Sequence, residues 1–308
     1  MSGHILVIGA ALLDTKGKPT AGLEPGTSNP GSIRRTRGGT ARNIAENLGR
    51  LGLEVILISA VGEDQTGRQL LEATAEAGVN LDFVLSVPEY STGGYIALLD
   101  NDGTLSVALD DTRVMEKITG QLLYRQRRLF RDAALIFLDG SLTPAALQTA
   151  MKLAQEYAVP VAADPSSTRL VHKMRPYLPN LSLIVPNEVE ACAFINEDFA
   201  GFDPETSLAV ARGIFNQGVQ KVVITLSDFG LVYLTADESG YLGARYREIV
   251  DATGVGDAVS AAIMFGMLNE MPTMECMRLG AAAASLTLQT NETVVPNLSL
   301  DLLFDHLT

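Results

Sequence analysis

The chain has 308 residues, 47% of them hydrophobic, and carries 23 Lys and Arg against 36 Asp and Glu, a formal net charge of −13. That length suits one large α/β domain, and the acidic balance argues against binding nucleic acid through its phosphate backbone. Three histidines, two of them near the termini, and two widely separated cysteines leave little from which to build a zinc site, a disulfide framework or a Ser-His-Asp triad.

The apolar run at residues 5–13 is too short to cross a membrane and lacks the charged start and cleavage site of a secretory leader. It reads as a first buried strand in a cytoplasmic protein. Residues 15–32 are rich in Gly, Pro, Thr and Ser and show no helical period. Residues 41–51 place Ile44, Leu48 and Leu51 at helical spacing, and a strand at 55–58 and a helix at 65–77 follow. Residues 93–109 read as two strands around the Asn101, Asp102, Gly103 turn. Next come a strand at 134–138, a helix at 144–157 with proline in its first turn, and strands at 159–163, 183–185 and 221–224. Continuous apolar strands separated by amphipathic helices predict a mainly parallel sheet covered on both faces. Ligands collect outside the carboxyl ends of such strands. The chain is therefore expected to form a single domain, 1–308, with a small β lid from about residues 15–37 and 90–112.

Residues 251–258 read Asp-Ala-Thr-Gly-Val-Gly-Asp-Ala and precede an apolar helical stretch. Gly254 and Gly256 permit a tight turn whose N–H groups converge on an anion at a helix start. Asp257 then sits in the first turn, where it could take a proton from a hydroxyl or merely complement the helix dipole. The local sequence allows both. It does not complete a dinucleotide fingerprint, because Val259 occupies the third glycine position, and the chain holds no P-loop motif.

Arg37, Gly38, Gly39, Thr40, Ala41, Arg42 and Asn43 resemble the first signature of the ribokinase-like (PfkB) carbohydrate kinases, and residues 251–257 resemble the second. Ala252 and Val255 depart from the usual threonine and alanine. The resemblance spans essentially the whole chain and implies a three-layer α/β/α sandwich with a β lid. Residues 28–31, 38–47, 59–64 and 164–167 resemble the pseudouridine-kinase branch of that family.

The resemblance implies an ATP- and Mg2+-dependent kinase acting on the 5′-hydroxyl of pseudouridine. Asp257 becomes the catalytic base, and Gly254, Val255 and Gly256 supply N–H groups to the transferring phosphoryl. Asp14, Gly38, Gly39 and Asn43 bind the ribose, and Asn29 and Thr92 in the lid are expected to read the base. Asn187, Thr225, Ser227 and Gly230 face the nucleotide, with Ser227 standing where glycine is common. Glu190 holds magnesium through water. Asp251 and Thr253, with carbonyls near residues 290–293, bind a monovalent cation such as K+. The cluster Arg34, Arg35, Arg37 and Arg42 reads as a solvated face or a phosphate contact, with Arg42 the first choice. The rival readings are a kinase for another nucleoside or a free sugar, and a catalytically silent nucleoside-binding protein on the same fold. Exposed lid edges would permit a homodimer.

Overall fold

A computed structural model describes residues 3–199, 201–244 and 249–307. Among them the strands are β1 (His4–Ile8), β2 (Leu12–Pro19), β3 (Gly31–Gly38), β4 (Val55–Ile58), β5 (Ala60–Gly62), β6 (Leu85–Val87) and β7 (Gly93–Leu99). There follow β8 (Leu105–Asp111), β9 (Ala133–Asp139), β10 (Val161–Asp164), β11 (Leu183–Ile184), β12 (Val222–Thr225), β13 (Gly230–Leu234) and β14 (Ser239–Gly243). The main sheet has the order β14-β13-β12-β11-β10-β9-β1-β4. Strands β4 through β12 in that row pair in parallel, and β13 and β14 close the edge as an antiparallel hairpin.

The parallel strands are apolar throughout because both of their faces are covered. Ile5 and Val7 of β1 join Leu57 and Phe137 in a core with Ile44, Leu48, Val259 and Ile263 from the helices Thr40–Arg50 and Val255–Leu268. Leu6 and Ile8 face the other way, packing with Ile136 and Leu138 and with Met151, Phe194 and Ile214 from three further helices. Helices on both sides of the sheet give three layers. Each fully buried Leu or Ile contributes roughly 1.5–3 kcal/mol, so a polar side chain is expelled from this region to the strand ends. Among the described residues no helix is long and apolar enough to cross a membrane.

The run at 5–13 is not one strand. A side chain at Gly9 would overlap the Asp139 carboxyl, and the Ala10 N–H donates to that carboxyl at 2.8 Å. The chain therefore leaves the main sheet after Ile8 and restarts as β2, the second strand of a four-stranded lid ordered β3-β2-β7-β8. Asp14 belongs to that lid strand rather than to the end of the first main strand.

The lid register sorts its side chains by face. Gly17 opposes Ile33 and Leu98, Thr15 opposes Ile96, and Ile96 opposes Leu109. These residues form an outward face on which Ile33 is 76% and Leu109 is 69% exposed. The alternate residues, Asp14, Lys16, Arg34, Thr36 and Tyr95, form the inner face toward the body.

Candidate active site

The Val255–Leu268 helix starts at Gly254, which has φ 80°. A Cβ there would lie 2.1 Å from the Thr293 carbonyl oxygen, so both conformation and space demand glycine. The first N–H groups of a helix have no partner within it. Val255 turns its own N–H back to the Ala252 carbonyl at 3.4 Å, which removes it from the anion-binding set expected from the sequence. The N–H groups of Gly254 and Gly256 remain for an anion, and Gly256 opens onto free space.

Asp257 follows in the first turn and accepts a hydrogen bond from Asn43 Nδ2 at 2.6 Å. Asn43 is itself oriented by Arg42, whose guanidinium donates to the Asn43 amide oxygen. Arg42 is 0% exposed and also donates to the Gly38 and Arg37 carbonyls, to Glu46 and to Thr293 Oγ1. It is a clamp that joins the Thr40–Arg50 helix to the 290–293 loop, not a phosphate contact. The Asp257 carboxyl is pushed up to about 7, chiefly by burial and further by the charges of Asp14 and Asp139, against the Asn43 hydrogen bond. A carboxyl at that value is poised to exchange a proton near neutrality.

Asp14 is 7% exposed, and a Cβ on Gly38 would lie 2.4 Å from its carboxyl. Gly38 therefore makes room for the acid that would hold a diol. Burial raises Asp14 to about 6, with Arg42 and Lys16 opposing. A cavity of about 640 Å³ lies on the other side of the Gly254 turn, lined by Asn187, Thr225, Ser227, Gly230 and Gly256. All four residues expected to face a nucleotide thus share one cavity. Ser227 has φ 46°, the left-handed region glycine favours, and its hydroxyl donates to Glu188 at 3.0 Å.

Asn187 and Glu190 form a reciprocal capping box: Glu190 N–H donates to Asn187 Oδ1 at 2.9 Å, and Asn187 N–H donates to Glu190 Oε2 at 3.0 Å. Asp164, at the end of β10, was not singled out as a functional side chain from sequence. Burial and the charges of Glu190 and Asp257 push its carboxyl well above the ordinary range, and burial also raises Glu190. Asp164 and Glu190 are both buried, and such a pair would suit Mg2+, which takes one or two carboxylates together with phosphate oxygens. No group of three or more His, Cys, Asp or Glu side chains able to hold a metal occurs among the described residues.

Other expected roles are redirected. Asn29 bonds the Glu24 backbone at 2.8 and 3.0 Å and the Thr27 carbonyl at 3.1 Å, which pins its own loop. That loop begins beyond the Pro19–Gly31 pair, about 17 Å along the strand from Asp14. Thr92 is spent on Asp64 and the Gly62 N–H. The inner lid face beside Asp14 instead presents Tyr95, whose phenol is raised by burial and by the charges of Asp14 and Asp110. Asp251 and Thr253, expected beside a monovalent cation, both bond the Lys16 ammonium, to Asp251 Oδ1 at 2.7 Å. Asp139 was also missed. It accepts hydrogen bonds from the N–H groups of Ala10, Ala41 and Ser141, fixing the loops that surround the site. An acidic residue directly after an apolar strand run was the signal available for it.

Residues 2–299 match the model of the pfkB family carbohydrate kinases. The chain is 33% identical over 298 residues to a pseudouridine kinase of Escherichia coli K12, covering 96% of this chain and 94% of that one. It is 31% identical to a guanosine-inosine kinase of Exiguobacterium acetylicum, covering 96% and 97%. The solved structure of Arabidopsis thaliana ribokinase complexed with ribose and ATP superposes with a TM-score of 0.84 at 23% identity, covering 100% and 99%, which shows the ribokinase-like fold.

Proposed function

We propose that this chain, which belongs to the pfkB family of carbohydrate kinases, transfers the γ-phosphoryl group of ATP to the 5′-hydroxyl of pseudouridine. The observation that carries the reading is the Asn43–Asp257 hydrogen bond beneath the Gly254 turn, with an inner lid face on one side and a 640 Å³ cavity on the other. Asp14 accepts hydrogen bonds from the ribose diol and so aims the 5′-oxygen at Asp257. Asp257 takes the hydroxyl proton as the oxygen–phosphorus bond forms and the bond from the γ-phosphorus to the bridging oxygen breaks, with ADP leaving. The N–H groups of Gly254 and Gly256 receive the charge that develops on the transferring group.

Asn187, Thr225, Ser227 and Gly230 hold the nucleotide in this reading, which their shared place in the lining of one cavity supports. Asp164 and Glu190 would hold Mg2+, which supplies neutralisation of phosphate charge. The exposed apolar outer lid face, with Ile33, Ile96, Val107 and Leu109, fits a second copy of the chain, giving a homodimer through the lid.

Pseudouridine as the acceptor is supported by the 33% identity to the Escherichia coli kinase over nearly the whole chain. The 31% identity to a guanosine-inosine kinase favours one alternative, another nucleoside at the same site. Release of ADP on mixing the protein with ATP, Mg2+ and each of pseudouridine, uridine, inosine, guanosine and ribose decides between them. A ligand-induced melting shift with no ADP from any acceptor would mean a silent binder.

A further inference from the structure

The loop ahead of the anion site already holds a cation of the chain's own. Asp251 Oδ1 accepts from Lys16 Nζ at 2.7 Å, from Thr253 N–H at 2.8 Å and from Thr253 Oγ1 at 2.5 Å. Asp251 Oδ2 accepts from Arg34 at 3.3 Å, and Arg34 donates onward to Asn291 Oδ1 at 2.6 Å. Lys16 also donates to Thr253 Oγ1. Both cations come from the lid, from β2 and β3, and both segments they tie down belong to the body.

This donor set does not fit potassium. A potassium ion sheds its water only where several oxygens replace that water, and here the side-chain oxygens of both residues are already engaged. It would also meet two fixed positive charges around one carboxylate. The Lys16 and Asp251 side chains are only 22% and 15% exposed, so bulk solvent screens this repulsion weakly.

We propose that the Lys16 ammonium takes the place of a monovalent cation at this loop, so that the lid itself orders the turn leading to Gly254 and no added potassium is needed. Lys16 lies two residues after Asp14 on the same inner face of β2, so the strand that would hold the ribose also positions the anion loop. Lys16 is a positioning residue, acting through Asp251 and Thr253. The activity arm of its test rests on the kinase reading, and the melting arm does not.

The test compares the parent and Lys16→Met in potassium chloride and in tetramethylammonium chloride at equal ionic strength, by melting temperature and by turnover. For the parent we expect melting to differ by less than about 1 °C and turnover by less than about twofold. Lys16→Met should lose turnover by about tenfold or more in tetramethylammonium. Potassium or ammonium should restore much of that turnover and raise the variant's melting temperature by at least about 3 °C. A parent that gains melting temperature or rate from potassium overturns the proposal, and so does a Lys16→Met protein indifferent to small cations. The parent's melting arm decides the matter even where the variant fails to fold. An inactive parent would count against the kinase reading alone.

Discussion

Asn43 donates to Asp257 at 2.6 Å across 214 residues of sequence, so the two signature segments meet at a single hydrogen bond. That bond favours the ionised carboxylate, while burial favours the neutral acid, and the balance leaves Asp257 at about 7.

Asp257→Asn should keep ATP and nucleoside binding and lower turnover by about 10² to 10⁴, the range typical of a lost general base. The amide preserves shape and removes proton affinity. Single-turnover kinetics with binding measured separately checks this, and turnover within a few-fold of the parent would remove Asp257 from the role.

Asn43→Leu removes the one hydrogen bond that lowers the Asp257 pKa. Catalysis by Asp257 as base requires the ionised form, so the parent's kcat/KM should fall as pH drops through about 7. In the variant this acid limb should move to higher pH by about one unit. A limb that stays in place would mean another group titrates.

Stability should run the opposite way to activity. Asp257 and Asp14 have folded-state values raised to about 7 and about 6 from 3.8, so the folded chain binds more protons than the unfolded one between those limits. Their contribution to stability is present in full below about pH 4 and is lost as pH rises through 6 and 7. In chemical denaturation of the free protein, Asp257→Asn should therefore gain on the parent between pH 5 and pH 8. A variant whose stability relative to the parent falls, or stays constant, from pH 5 to pH 8 would contradict the assignment.

Asp14→Ala should weaken the nucleoside by about 1–3 kcal/mol, or roughly five- to 150-fold in its KM, with the apparent ATP affinity little changed. A selective loss of ATP affinity would place Asp14 on the wrong substrate.

Base selectivity should follow the inner lid face. Tyr95→Ala should change the ratio of pseudouridine to uridine efficiency, whereas Asn29→Ala should leave it within about twofold. The reverse result would return base recognition to the lid tip.

The parallel sheet was legible because burial on both faces leaves unbroken apolar runs such as Leu135 to Leu138. The turn ahead of the Val255–Leu268 helix was legible because its glycines and Asp257 lie within a few residues, whereas the Asn187–Glu190 capping box was not read from the sequence. Asp139 and Lys16 were not, since they meet Ala10 and Asp251 across 129 and 235 residues, and no local spacing records such a pairing. The break after Ile8 was hidden for the same reason: the carboxyl that ends β1 comes from β9. The β13–β14 hairpin escaped because its glycines, Gly230, Gly240 and Gly243, interrupt the apolar pattern. Asn29 was named for its place in the lid, where a base-reading residue and a turn-pinning residue look alike in sequence.

The most direct test is phosphorus NMR of the product formed from ATP, Mg2+ and an equimolar mixture of pseudouridine and uridine. We expect pseudouridine 5′-phosphate as the main product, with kcat/KM for pseudouridine at least about tenfold above that for uridine, roughly 1.4 kcal/mol. Equal labelling of the two nucleosides, or phosphate on any position other than the 5′-oxygen, would contradict it.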